Sequence, residues 1–163
     1  MSNLGLERYL EGRGLSLNRT PVGDRYVAEK MRDLGYNVGG EQSGHIILSD
    51  YATSGDGLLT ALQVLMVLMQ KQKPASQVLN LFKPLPQIMK NVKIAPSYLK
   101  LPEVEEFITT AQSKLSNGRL LVRPSGTEPL VRIMAEGEDE KLSVEIVDSI
   151  AELLNSISTK AVA

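Results

Sequence analysis

The spacing of apolar and polar positions changes several times along the chain, and each change marks an element. Residues 3–12 carry a helical pattern that Gly12 and Gly14 bring to an end. Residues 15–20 alternate apolar and polar side chains, as a strand does. Asp24 stands at an N-cap position ahead of Tyr26, Val27, Met31 and Leu34 at helical spacing, and Gly35 closes that helix. Short strands are expected over residues 36–38 and 45–48. Asp56 can cap a long apolar helix over residues 57–72, whose run 58–69 reads as a buried core helix; a shorter helix is expected over residues 75–82. Strands and helices alternating in this way predict an α/β domain with a mainly parallel sheet.

The pattern breaks at Lys83-Pro84-Leu85-Pro86, where two prolines rule out a helix. A strand over residues 87–95 follows, then a helix with Pro102 in its first turn and an apolar stripe of Val104, Phe107, Ile108, Ala111 and Leu115. Strands over residues 119–123 and 130–136 form a hairpin. A last helix follows Glu138-Asp139-Glu140, acidic residues favourable at a helix N-terminus, with Leu142, Ile146, Ile150, Leu153 and Ile157 on one face. This order predicts a small α+β domain with an antiparallel sheet covered by helices. The expected organisation is therefore an α/β domain over residues 1–84 and an α+β domain over residues 85–163.

Composition narrows the function classes. With 163 residues, 42% hydrophobic and 23% charged, the chain is ordinary for a globular protein and can bury roughly 70% of its unfolded surface. A net charge of -1 gives no global footprint for nucleic acid or an anionic membrane. Cysteine is absent and His45 is the single histidine, which excludes disulfides, thiolate chemistry and a multi-histidine metal site. No basic-then-apolar leader pattern opens the sequence and run 58–69 is too short for a bilayer span, so the cytoplasm is the expected compartment.

Two polar loops carry candidate chemistry. In Arg123-Pro124-Ser125-Gly126-Thr127-Glu128-Pro129, Arg123 offers a planar fork of donors suited to two phosphate oxygens, and Ser125 and Thr127 add hydroxyls. Gly126 lets the backbone turn its N–H groups toward an anion, while Pro124 and Pro129 stiffen both ends. Glu128 has to point away from the anion or pair with a cation. An anion cup and an ordinary Pro/Gly/Ser hairpin connection both fit this composition. If Arg123 pairs with Leu130 across the hairpin, Arg132 shares its face and either lends charge to the anion or is simply solvated. The second loop, Gly39-Gly40-Glu41-Gln42-Ser43-Gly44-His45, leaves Glu41, Ser43 and His45 free to project. A carboxylate and a hydroxyl there suit two neighbouring sugar hydroxyls; a plain strand connection is the other reading. His45 fits a proton donor or a hydrogen-bonded structural histidine.

Taken together, the two loops resemble those of the α-D-phosphohexomutase family. Gly40-Glu41-Gln42-Ser43-Gly44-His45 is similar to the sugar-binding loop of that family's third domain, and residues 123–129 to the phosphate-binding loop of its fourth. Thr20-Pro21-Val22-Gly23-Asp24-Arg25-Tyr26-Val27 and Thr53-Ser54-Gly55-Asp56-Gly57 match in kind, so the resemblance covers essentially the whole chain. Gln42 and the Val22–Gly23–Asp24–Arg25–Tyr26–Val27 run look most like the glucosamine-phosphate branch, whereas the phosphomannomutase/phosphoglucomutase branch typically has methionine at the position of Gln42.

The resemblance implies a truncated three-layer α/β third domain followed by the small fourth domain, the C-terminal part of an enzyme interconverting glucosamine 6-phosphate and glucosamine 1-phosphate through a phosphoserine and a bisphosphate. The family's phosphoserine loop and its Asp-rich Mg²⁺ loop do not occur in these residues. The resemblance therefore implies Mg²⁺ and the catalytic serine in missing N-terminal domains, and no catalytic or metal residue here. It assigns Glu41, Ser43 and His45 to the sugar and Arg123, Ser125, Gly126 and Thr127 to the phosphate of a hexosamine phosphate. Two alternatives stay open: a mutase of the phosphomannomutase/phosphoglucomutase branch, and a free-standing, non-catalytic phosphosugar-binding module.

Overall fold

The computed structural model describes residues 1–126 and 128–162, with the backbone alone for residues 160–162. The chain divides into two compact units, Met1–Lys83 and Pro84–Ala163.

In the first unit, helix α1 (Leu4–Glu11) starts where the Asn3 side chain accepts from the Gly5 N–H at 2.8 Å. The segment 15–20 that follows is not the strand its alternation predicts. Alternation favours extended backbone, but a strand also needs a neighbour for its ladder. Here Arg19 holds the segment instead, donating to Glu7 Oε2 at 2.7 and 3.1 Å and to the Ser2 carbonyl at 2.8 Å. Helix α2 (Asp24–Leu34) has Gly23, not Asp24, at its N-cap; Asp24 is the first helical residue and accepts from the Arg25 N–H. Gly35 ends α2 in the left-handed conformation at φ 67°.

Strands β1 (Val38–Gly40) and β2 (Ile46–Leu48) then pair antiparallel, with Gly39 opposite Ile47. The mainly parallel sheet expected from element order is thus replaced by a hairpin. Its loop 41–45 is far shorter than the dozen or so residues a parallel crossover needs. Val27 and Met31 of α2 pack on Ile47 as this unit's small core. Helix α3 (Gly57–Lys71) is capped by Asp56, which accepts from the Leu59 N–H at 2.9 Å. It is not a buried core helix. None of its residues is buried, and Leu58, Leu62, Leu65, Met66 and Met69 are exposed. Within the unit its main neighbours are β2 and the short helix α4 (Ala75–Val78), too little to cover an apolar helix.

In the second unit, strands β3 (Gln87–Val92), β4 (Arg119–Pro124) and β5 (Val131–Glu136) form an antiparallel sheet in the order β3-β5-β4. β3 stops at Val92, short of the expected residue 95, and a 3₁₀ turn at Pro96–Lys100 leads into α5 (Pro102–Lys114). Val131, Ile133 and Ala135 are fully buried beneath α5 and α6 (Glu140–Val162). Val104 and Ala111 of α5 face them as its stripe predicts, while Phe107 stays partly exposed. On α6 the buried face is Ile146, Val147, Ile150, Ala151 and Leu154, with Leu142, Leu153 and Ile157 at its margin. Burying so many aliphatic side chains, at about 1.5–3 kcal/mol each, is the main support of this unit.

Alternation sends the residues between these to the opposite face, in three cross-strand rows: Gln87–Glu136–Arg119, Met89–Met134–Leu121 and Asn91–Arg132–Arg123. In the first row the fully buried Glu136 takes Arg119 Nη2 at 2.6 Å and Gln87 Nε2 at 2.9 Å. The third row is the one that meets the polar loop.

Candidate functional site

Each unit carries one of the two loops. In the first, α2 and β1 approach so closely at Gly39 that a Cβ there would run into Met31 Sδ and Val27 Cγ1, so a glycine is required. The turn itself is tied by the Glu41 N–H to the His45 carbonyl at 2.8 Å and the Gly44 N–H to the Glu41 carbonyl at 3.0 Å, with Gly44 at φ 101°. Glu41 is mostly buried. Its Oε1 accepts from the Gly23 N–H at 2.8 Å, and its Oε2 lies 4.0 Å from His45 Nδ1. Ser43 Oγ sits 3.2 Å from the same His45 nitrogen, both side chains open to solvent.

Glu41, Ser43 and His45 therefore form one cluster. One carboxylate oxygen is anchored at the start of α2, which fixes the direction of the other. Gly23 is the partner of Glu41 that the sequence reading missed. It lies eighteen positions from Glu41, and the one trace in the sequence is a glycine just before a helix.

In the second unit β4 delivers Arg123 to the loop mouth, and the Ser125 N–H closes the loop on the Leu130 carbonyl at 2.8 Å. Arg123 pairs with Arg132, not with Leu130, because this closure places the turn two residues later in register than expected. The two arginines are thus direct cross-strand neighbours on one face. Burial, then the nearby Arg132 charge, lowers the Arg123 guanidinium below its ordinary value. Its Nη1 makes a long 3.3 Å bond to the Pro124 carbonyl. Arg132 Nη2 stands 3.6 Å from Glu128 Oε2, and its buried Nε has no hydrogen-bond partner among the described residues. Gly126 has open space where a side chain would be. Thr127, the remaining expected phosphate residue, lies outside the described residues.

The chemistry available is concentrated positive charge with incomplete internal pairing, beside a closed polar turn. Among the described residues no three acidic or histidine side chains are grouped to hold a metal, and no helix is long and apolar enough to cross a membrane.

Residues 1–85 match the family described as "Phosphoglucomutase/phosphomannomutase, alpha/beta/alpha domain III", and residues 72–153 match "Phosphoglucomutase/phosphomannomutase, C-terminal domain". Phosphoglucosamine mutase of Methylobacterium nodulans is 60% identical over 156 residues, covering 94% of this chain and 35% of the relative. That of Chelativorans sp. is 56% identical over 163 residues, covering 99% of this chain and 36% of the relative. The chain thus spans about a third of the length of these relatives. In fold it is similar to Aspergillus fumigatus N-acetylphosphoglucosamine mutase, with a TM-score of 0.80 at 21% identity, covering 95% of this chain and 37% of the other. The same fungal enzyme solved with GlcNAc-6P and magnesium gives a TM-score of 0.76 at 20% identity, covering 93% of this chain and 39% of the other. The chain belongs to the phosphoglucomutase/phosphomannomutase family of the α-D-phosphohexomutases and carries its domain III and its C-terminal domain.

Proposed function

We propose that the chain is the part of a phosphoglucosamine mutase that grips the substrate while chemistry proceeds elsewhere in the enzyme. Residues 1–84 hold the sugar and residues 85–163 hold the phosphate that is not being transferred. The observation that carries this reading is the placing of Arg123 opposite Arg132 at the mouth of loop 124–130. Two guanidiniums side by side are unfavourable unless an anion joins them. Identities of 56–60% to phosphoglucosamine mutases favour glucosamine phosphate over a neutral hexose phosphate.

The proposed division of labour assigns each loop one part of the substrate. In this proposal Arg123 supplies two parallel donors to a phosphate dianion, Arg132 adds a second cation, and Ser125, Gly126 and Thr127 are the residue types that add hydroxyl and backbone donors. Such a cup reads the phosphate alone and accepts either end of a hexose bisphosphate. Glu41 keeps one oxygen on the Gly23 N–H and presents the other, with Ser43 and His45, to the O3 and O4 hydroxyls. Turning the ring over roughly exchanges those two hydroxyls, so one cluster serves both substrate orientations. Phosphoryl transfer depends on positioning and charge stabilisation, and these residues supply the positioning.

Mg²⁺ and the phosphoserine belong, in this reading, to the remaining two thirds of the relatives' length. The residues described here do not fit a metal, so no step here runs through one. The cytoplasm, where sugar phosphates are made and used, is the compartment this reading implies.

The test is a chimera in which this chain replaces the matching third of the Methylobacterium nodulans enzyme. It should interconvert glucosamine 6-phosphate and glucosamine 1-phosphate, and Arg123→Ala should lower kcat/KM about a hundredfold. A folded chimera without turnover, or one indifferent to Arg123→Ala, overturns the proposal.

A further inference from the structure

Glu128 is a carboxylate inside the proposed anion cup. Its Oε2 stands 3.6 Å from Arg132 Nη2, and the side chain is more than half exposed. Arg132 faces Arg123 across the ladder. Without a ligand, Glu128 is the one anionic side chain shown against this arginine pair among the described residues. Its carboxylate therefore occupies part of the charge field that a phosphate would use.

Bound phosphate and the Glu128 carboxylate would repel each other, so Glu128 has to leave Arg132 when phosphate enters. The structure gives it room to do so. Glu128, Pro129 and Leu130 form one wall of an open groove of about 630 Å³, and Lys93 and Tyr98 line it as well. A carboxylate turned away from Arg132 has this groove, lined also by Lys93, to enter.

We infer that Glu128 is a built-in placeholder anion: it neutralises Arg132 while the cup is empty and competes with phosphate for that guanidinium. The inference rests on the phosphate-loop reading and adds a regulator to it. The placeholder lowers affinity, which favours release and turning of a bisphosphate over tight retention. It also spares the empty loop an unrelieved pair of like charges.

Inorganic phosphate titrated into the complete 163-residue chain, followed by NMR, tests this. Glu128→Gln should bind phosphate about threefold to fivefold more tightly, the effect of removing one screened charge a few ångströms away. In an Arg132→Gln background the same change should gain less than half as much, because the carboxylate acts through that arginine. Glu128 is exposed, so Glu128→Gln should keep the fold, and an unchanged amide spectrum outside residues 123–132 verifies it. Unchanged or weaker binding by Glu128→Gln, while Arg123→Ala abolishes binding, overturns the placeholder and leaves the phosphate loop standing. Absence of phosphate binding in the unaltered chain overturns both.

Discussion

Arg123 of β4 and Arg132 of β5 stand directly opposite each other in the antiparallel ladder. Like charges in that position normally cost a sheet a few tenths of a kcal/mol to about 1 kcal/mol. Burial and Arg132 together lower the Arg123 guanidinium below its ordinary value, and among the described residues Glu128 is the carboxylate that stands against Arg132. In the proposed reading this pair costs stability and contributes phosphate affinity, so stability and function can be separated.

Replacing Arg132 by glutamine should move those two quantities in opposite directions. Stability without phosphate should stay within about 0.5 kcal/mol or rise, because a repulsion is removed. Phosphate affinity should fall severalfold. Urea unfolding and phosphate titration on the same preparation measure both, and a stability loss above about 1 kcal/mol would show that Arg132 serves the fold instead.

Arg119 and Glu136, two rows away on the same face, should behave in the opposite sense. Glu136 is fully buried and held by Arg119 Nη2 at 2.6 Å and by Gln87 at 2.9 Å. Glu136→Ala removes the buried carboxylate that Arg119 and Gln87 hold and should cost about 3 kcal/mol in urea unfolding of the second unit. Phosphate affinity of the fraction that remains folded should not change. The double change Arg119→Met with Glu136→Leu should recover most of the loss, since a packed apolar pair carries no desolvation penalty.

Much of the second unit was legible in the sequence. Two apolar-rich segments, 119–123 and 130–136, on either side of a Pro/Gly loop gave the hairpin, and the apolar stripes of α5 and α6 gave the covered face. The register was two residues off because it is set by one backbone bond, Ser125 N–H to the Leu130 carbonyl, that no side-chain pattern encodes. The first unit was less legible. Residues 15–20 alternate, yet no strand receives them, and Arg19 holds them by side-chain bonds instead. The apolar run of α3 is the same whether or not something lies against it, so periodicity could not report its exposure. In loop 41–45 the cluster of Glu41, Ser43 and His45 follows from a short turn. The anchoring of Glu41 by Gly23 is a tertiary contact across eighteen positions, and a glycine before a helix does not say which side chain it will meet.

The exposed face of α3 yields a direct check on that point. Leu62→Gln and Leu65→Gln should each change the stability of this chain by less than about 0.5 kcal/mol, as exposed positions do. Thermal unfolding by circular dichroism suffices. A loss of 2 kcal/mol or more, the roughly expected cost at a packed core site, would restore the buried-helix reading.

Glu41→Ala should act on the first unit alone. Losing the charged acceptor of the Gly23 N–H should cost about 1.5–3 kcal/mol of local stability, seen as faster amide exchange at the start of α2. Glu41→Gln, which keeps an acceptor oxygen, should recover part of it. Gly39→Ala should also destabilise this unit, by about 1–3 kcal/mol, through its clash with Met31 and Val27. Inorganic phosphate affinity should be unaffected by all three, since the phosphate loop belongs to the other unit.

The central claim, that residues 123–129 form a phosphate cup organised by Arg123, is tested most directly by titrating inorganic phosphate into the isolated chain and following backbone amide shifts. The largest shifts should fall on residues 123–132, with affinity that weakens as salt is raised. Arg123→Ala should reduce affinity at least about tenfold, and Arg123→Lys should recover only part, having charge without the planar fork. Shifts centred elsewhere, or binding undiminished in Arg123→Ala, would contradict the account.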